Sequence, residues 1–235
     1  MKKVFITGSS SGLGKALAEA YLTSGDKVFG ISRHKEIEHP NYHHIYLDLS
    51  DPEVYRGFKL PSFESNDEVV WINNAGSLNP VAKVGNYDHS QVESTYHVNV
   101  LAPIFFIDLL RKASTSFEGS IHVLNISSGA ARYPVEGWGT YCSSKAALDA
   151  FAAVADKETR DLGNGFHIRN IYPGIIDTPM QGNIRRTDNE NFPEVKRFIE
   201  YKNDGKLTNP EVVASGIIRN FNSFFMQEEV AFPIK

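Results

Sequence analysis

The sequence predicts an α/β fold: one doubly wound parallel sheet with helices on both faces, in a single domain over residues 1–235. Three observations predict it. Short β-branched runs alternate with stretches of helical periodicity along the chain, which is the pattern of βαβ units. The first such run leads into TGSSSGLG at residues 7–14 and then a helix, the strand, glycine turn and helix order that holds a pyrophosphate. No internal repeat, low-complexity tract or linker divides the 235 residues.

Composition narrows the partners. A net charge of -4 and a pI near 6.1, without a lysine or arginine run, leave no broad basic field for nucleic acid or an anionic membrane, so a small-molecule partner is expected. Cys142 is the single cysteine, which rules out an internal disulfide and fits a reducing compartment; a half-buried small side chain is expected there. Met1 runs straight into a strand-like segment without a signal-peptide pattern, and the apolar run at 100–110 is too short to span a bilayer. A cytoplasmic protein is expected.

In order, residues 3–7 form the first strand and 15–23 the first helix. Gly8 and Gly12 suit a tight turn and close approach to phosphate, and Gly14 lets helix pack on strand, with helix N-terminal amides facing the anion. The second strand, 27–32, ends in Ser32 and Arg33, where an NAD site would carry an acidic residue for the ribose 2'-hydroxyl. A hydroxyl and a guanidinium suit a 2'-phosphate instead, because arginine makes forked, charge-assisted hydrogen bonds, and NADPH is expected over NADH. His39, His43 and His44 crowd a connection broken by Pro40; they complete no zinc spacing and read as solvated loop histidines. A third strand at 43–47 leads to Asp48 and Leu49, and residues 50–52 open a short helix. Asp48 either caps that helix or accepts from an adenine amino group.

The fourth strand, 68–72, ends in Asn73, Asn74, Ala75 and Gly76, which suit a turn or close cofactor passage. A helical reach over 89–112 follows, with Asn99 inside the apolar run VNVLAPIFF and a bend expected at Pro103. The fifth strand, 120–126, delivers Ser127 and Ser128 to the carboxyl edge of the sheet, where a serine hydroxyl can bond a substrate carbonyl.

Next comes GWGTYCSSK at 137–145, in which Tyr141 and Lys145 stand four residues apart and so share one helix face. A tyrosine that trades protons near neutrality needs a neighbouring cation, since its reference pKa is about 10. At an effective dielectric of about 20, a cation about 4 Å away contributes roughly 4 kcal/mol, about three pKa units. The helix runs over 139–162 and carries Ala146, Ala147, Ala150, Ala152 and Ala153, small enough for close packing within the domain or against a second subunit. A sixth strand at 167–172 closes in Pro173 and Gly174. The polar, charged segment 179–206 reads as a mobile lid over the substrate, and 209–222 as a helix with Val212, Val213, Ile217 and Ile218 on its apolar face.

Together, TGSSSGLG, Asp48, NNAG at 73–76, Asn99, Ser128, Tyr141 with Lys145, and Pro173–Gly174 resemble the short-chain dehydrogenase/reductase family over about three quarters of the chain. The resemblance implies a Rossmann fold and a hydride transfer between a nicotinamide and a carbonyl carbon. It implies Tyr141 as general acid, Lys145 holding the nicotinamide ribose and lowering the tyrosine pKa, Ser128 polarising the carbonyl, and Asn99 supporting a water and proton relay. The cofactor site it implies comprises Gly8, Ser10, Ser11, Gly12, Leu13, Gly14, Ser32, Arg33, Asp48, Leu49, Asn74, Ala75, Gly76, Tyr141, Lys145, Pro173, Gly174, Ile176 and Thr178, with Asp48 at the adenine and Ile176 and Thr178 at the carboxamide. Within the family, Ser32–Arg33 and Gly137–Trp138 resemble the sepiapterin reductase and benzil reductase branch, whose members reduce aromatic or vicinal dicarbonyl compounds with NADPH. Trp138 is then either an aromatic wall for the substrate or ordinary core. The segment 58–67 is shorter than in many relatives and the tail QEEVAFPIK lacks the glycine-rich family ending. A homodimer through the helices around Asn99 and Tyr141 is expected, or a homotetramer. Alternatives within this frame are a 3-oxoacyl or other alcohol dehydrogenase and a regulatory protein that binds NADP without turnover.

Overall fold

The computed structural model describes residues 1–64, 67–160, 165–226 and 231–233. Strands β1 (Lys2–Thr7), β2 (Lys27–Ser32), β3 (Tyr42–Tyr46), β4 (Glu68–Asn73), β5 (Ser120–Ile126), β6 (Phe166–Tyr172) and β7 (Ala231–Pro233) form one sheet in the order β3-β2-β1-β4-β5-β6-β7. Every neighbouring pair is parallel. The chain winds outward from β1 through β2 to β3, then returns to the other side of β1 at β4, so the reversal of direction opens a crevice at the carboxyl ends of β1 and β4.

Strand alternation sorts the core into two layers. Val4 and Ile6 of β1 face one side, where helix α1 (Gly12–Thr23) buries Leu13, Leu17 and Tyr21 and helix α8 (Pro210–Arg219) buries Val213 and Ile217. Phe5 faces the other side, with Trp71, Phe106, Leu110 and Ala152. Those last three come from helix α4 (Ala102–Ala113) and helix α5 (Gly139–Arg160). The expected end of α5 at Leu162 lies outside the described residues, as do residues 227–230 and 234–235 of the tail and 65–66 of the short segment before β4.

Several expectations need correction. The short helix α2 (Pro52–Arg56) is capped by Asp51, whose side chain accepts from the amides of Glu53 and Val54, and not by Asp48. His43 and His44 belong to β3 and not to a loop: His43, which is exposed as expected, stacks on Phe29, and His44 is half-buried and bonds Ser32. The reach expected as one helix over 89–112 is α3 (His89–Tyr96), a π-helical turn (His97–Leu101) and α4, with Pro103 in the first turn of α4. Val212 is 63% exposed and off the apolar face of α8, which ends at Arg219 before the separate helix α9 (Phe221–Phe225). The segment 179–206 contains helices α6 (Pro179–Ile184) and α7 (Val195–Asn203), and beneath its charged surface Ile184, Phe192, Val195 and Phe198 are buried in a third cluster with Leu78, Trp138 and Tyr141.

Candidate active site

The glycine loop joins β1 to α1. Gly8 and Gly12 have φ of +69° and +53°, and a Cβ on Gly14 would stand 2.2 Å from the Gly8 carbonyl oxygen and 2.3 Å from Asn74 Nδ2, so only glycine fits there. Ser10 is half-buried, Ser11 is the N-cap of α1, and Leu13 anchors the helix in the core. The NNAG loop is tied to this turn by Thr7, whose Oγ1 accepts from the amides of Asn74 and Ala75 at 3.0 Å each, while Asn74 Nδ2 donates to the carbonyls of Thr7 and Gly8. Thr178 reaches the same place from the far side, its Cγ2 3.1 Å from where a Gly12 Cβ would be.

At the other end of the crevice, Ser32 is buried and bonded to His44 and the His34 carbonyl, whereas Arg33 is exposed. Asp48 accepts from the amide and hydroxyl of Ser50 at 2.9 and 2.7 Å. Burial pushes its carboxyl up, but those bonds and the nearby Arg33 guanidinium outweigh this and hold it below the usual range. Arg33 and Asp48 therefore share one rim, with Leu49 in the core beneath it.

The proton-handling groups gather beside Gly76. Lys145 Nζ lies 5.8 Å from the Tyr141 ring centroid and donates to the Ile126 carbonyl at 2.8 Å. A Cβ on Gly76 would be 3.7 Å from Asn99 Oδ1 and 3.8 Å from Lys145 Nζ. Asn99, in the π-helical turn, accepts from the Ser77 amide and donates to the Ser77 carbonyl and to Ser144 Oγ, at 2.8, 2.8 and 2.9 Å. The turn thus clamps the NNAG loop to α5, as π-bulges often do at working sites. Ser128 caps the short 3-10 turn after β5, its Oγ accepting from the Ala130 amide, and stands near enough to Tyr141 to draw its phenol pKa down.

Burial raises the Tyr141 phenol above its ordinary pKa, with the neighbouring Ser128 drawing it down and Cys142 adding to the rise. Burial lowers the Lys145 ammonium to about 8, against an upward pull from Asp149. Desolvation dominates both groups, so the Tyr141 phenol stands above its ordinary value with the Lys145 ammonium beside its ring. Trp138 is core: it stacks on Phe192 at 5.2 Å and meets Tyr141 edge-on at 5.6 Å. Cys142 is half-buried.

Not every expected residue joins these groups. Pro173 is buried at the end of β6, Gly174 has open space around it, and Ile176 pairs with Thr208 and packs on the α1 side of the sheet. Sequence reasoning passed over Thr7, Ser77 and the Ile126 carbonyl, which do the tying. The threonine ending β1 was the one available signal. Among the described residues no His, Cys, Asp or Glu group is arranged to hold a metal. The cradle without room for a Cβ, the amides at the α1 N-terminus and the crevice above β1 and β4 fit a dinucleotide.

Comparison with known proteins agrees with this geometry. Residues 2–189 match the short chain dehydrogenase family model. The chain is 34% identical over 224 residues to a benzil reductase ((S)-benzoin forming) of Bacillus subtilis, covering 93% of this chain and 92% of the relative, and 34% identical over 237 residues to a sepiapterin reductase of Xenopus tropicalis, covering 91% and 88%. Its fold superposes on the crystal structure of a short chain dehydrogenase/reductase from Saccharomyces cerevisiae with a TM-score of 0.80 at 25% identity, over 100% of this chain and 96% of that one. The chain belongs to the short chain dehydrogenase family and is an oxidoreductase with its Rossmann fold. Its relatives include benzil and sepiapterin reductases.

Proposed function

We propose that the chain is an NADPH-dependent carbonyl reductase that converts a ketone or vicinal dicarbonyl to an alcohol. The observation that carries this reading is the meeting of Tyr141, Ser128 and Lys145 beside Gly76 at the carboxyl edge of the sheet. When bound, the nicotinamide supplies the hydride that goes to the carbonyl carbon. Ser128 and Tyr141, neighbours at this edge of the sheet, bind the carbonyl oxygen together. Tyr141 keeps its proton at neutral pH because burial raises its pKa, and it gives that proton to the oxygen as negative charge develops there. Lys145, charged below about pH 8, holds the ribose hydroxyls and offsets the phenolate left behind. Asn99 fixes the π-helical turn against α5, where it supports a water relay to Lys145.

Arg33 supports NADPH, since an exposed guanidinium on the rim beside Asp48 suits a 2'-phosphate. The likeness to a benzil reductase, named for an aromatic diketone, and the apolar wall of Leu78, Ala130 and Ile184 around Tyr141 support a vicinal dicarbonyl with apolar substituents. In this reading one domain carries the whole reaction, with 179–206 as its substrate lid, in a cytoplasmic homodimer or homotetramer. Leu101 and Val154, 42% and 56% exposed, lie on the surface proposed for subunit contact.

The test is NADPH and NADH oxidation with a panel of aromatic 1,2-diketones, aldehydes and pterin carbonyls, beside Tyr141→Phe. NADPH-selective turnover lost in the mutant is the expected result. Tight NADPH binding without any carbonyl reduction would make the chain a non-catalytic binder, and a preference for NADH would remove the role given to Arg33.

A further inference from the structure

One carboxylate near the site has no part in the reading above. Asp149 stands on α5 one turn beyond Lys145, as Lys145 stands one turn beyond Tyr141, so all three project along one helix face. Its Oδ2 accepts a 2.5 Å hydrogen bond from the Tyr172 hydroxyl at the carboxyl end of β6. Its other oxygen, Oδ1, is buried and has no hydrogen-bond partner among the described residues. The Arg132 guanidinium lies over the Tyr172 ring at 4.8 Å, closing the outer side of this pair.

A buried carboxylate oxygen without a donor is costly unless its charge is used. Lys145, one turn away on the same helix face, is 4% exposed, and its one hydrogen bond among the described residues is to the neutral Ile126 carbonyl. The groups around Lys145 are few: Tyr141 and Asp149 on α5, Tyr172 on β6 behind Asp149, Arg132 and Ser128 from the segment after β5, and the neutral Gly76 and Asn99. Asp149 is the single anion among them.

We propose that Asp149, anchored by Tyr172, is a positioning residue that keeps Lys145 in its ammonium form and aimed at the reaction centre. The inference rests on the reductase reading, in which a charged Lys145 is required. The sign follows from charge. Burial drives Lys145 towards the neutral amine and Asp149 opposes it, leaving its pKa at about 8. Neutralising Asp149 lets the pKa fall further, so Lys145 loses its proton at a lower pH. Arg132, being cationic and beyond Tyr172, acts weakly in the same direction as burial.

The test compares wild type, Asp149→Asn and Asp149→Glu. In Asp149→Asn, which keeps shape and the bond from Tyr172 while removing charge, the Lys145 titration moves down from about 8. This is read directly by NMR of lysine labelled at its side chain, with Lys145→Met identifying the signal. The alkaline limb of the pH profile for reduction of an aromatic 1,2-diketone moves with it, while the rate near pH 6 stays within about threefold of wild type. Asp149→Glu, which restores the charge, returns both readouts most of the way.

An unmoved Lys145 titration in Asp149→Asn would overturn the proposal. So would a loss of rate equal at every pH, which is what a purely structural role gives. Failure of the reductase reading is distinguishable, because the titration is measured without turnover: a wild type that reduces no carbonyl but shows the shift keeps the electrostatic link and removes the reaction it was assigned to.

Discussion

In the proposed reaction Tyr141 is the acid, its phenol raised by its own desolvation and drawn down by the neighbouring Ser128. Tyr141→Phe removes the proton and leaves the ring packed on Trp138, so kcat for carbonyl reduction should fall on the order of a hundredfold to ten-thousandfold with NADPH affinity little changed, as stopped-flow binding beside steady-state rates would reveal. Arg33 acts through charge alone. Arg33→Ala should raise KM for NADPH by roughly tenfold to a hundredfold and leave KM for NADH nearly unchanged, the amount expected from one or two charge-assisted hydrogen bonds. Equal effects on the two cofactors would place Arg33 outside the phosphate site. Both side chains were legible in the sequence because their chemistry is carried by residue type at a strand or helix end. The direction of the Tyr141 shift was not, because desolvation depends on the residues of 179–206 that pack in one cluster with it.

Among the elements, the β1–α1 turn is the least tolerant. Gly14→Ala places a methyl 2.2 Å from the Gly8 carbonyl, forcing helix and turn apart; a loss of about 1–3 kcal/mol is expected, together with loss of the thermal stabilisation expected from the proposed NADPH binding. A melting curve unchanged in either respect would mean that the turn has room the structure does not give it. The lid helices follow a different logic. Their charged surface is what the sequence displays, while Phe192, fully buried against Trp138 and Phe198, is what attaches them to the site. Phe192→Ala should cost about 3–5 kcal/mol or, if the lid opens locally, spare global stability and raise KM, outcomes that urea denaturation and kinetics separate. The π-helical turn is a case of limited legibility. VNVLAPIFF reads as continuous helix with a bend at Pro103, and the extra residue per turn appears only because Asn99 must meet both Ser77 and Ser144.

Across the fold, the face away from the site carries a buried polar network. His122 on β5 stacks on His167 of β6 and is covered by Phe221 and Phe225 of α9. Burial first, and then the neighbouring His167, lower its pKa from 6.5 to about 4. The unfolded chain therefore takes up a proton that the folded chain refuses between those values, and stability should fall as pH drops from about 6.5 to about 4, by roughly 3 kcal/mol in all, with His167 acting in the same direction. His122→Phe should flatten that slope in chemical denaturation at pH 4.5 and 7. Nearby, Asp156 bonds Arg169 at 2.6 Å with both side chains almost fully buried, joining α5 to β6. Asp156 also pairs with Arg160, so Asp156→Ala breaks two ion pairs at once, one of them buried, and should cost about 3–5 kcal/mol with no change in the pH dependence of turnover.

The parallel order of the sheet, the place of the phosphate turn and the shared helix face of Tyr141 and Lys145 were readable from the chain, because strand and helix periodicity, glycine spacing and the four-residue turn are local properties. The same holds for the two-layered core, since alternation along β1 sends Val4 and Ile6 one way and Phe5 the other. Trp138 as core, the seat of Asn99 in a π-helical turn and the bond from Tyr172 to Asp149 arise from residues far apart in sequence meeting at fixed distances, whereas the cap of α2 by Asp51 is local. Desolvation and long-range hydrogen bonding belong to the packed chain, and so the protonation of the site is set by tertiary contacts that no stretch of sequence contains.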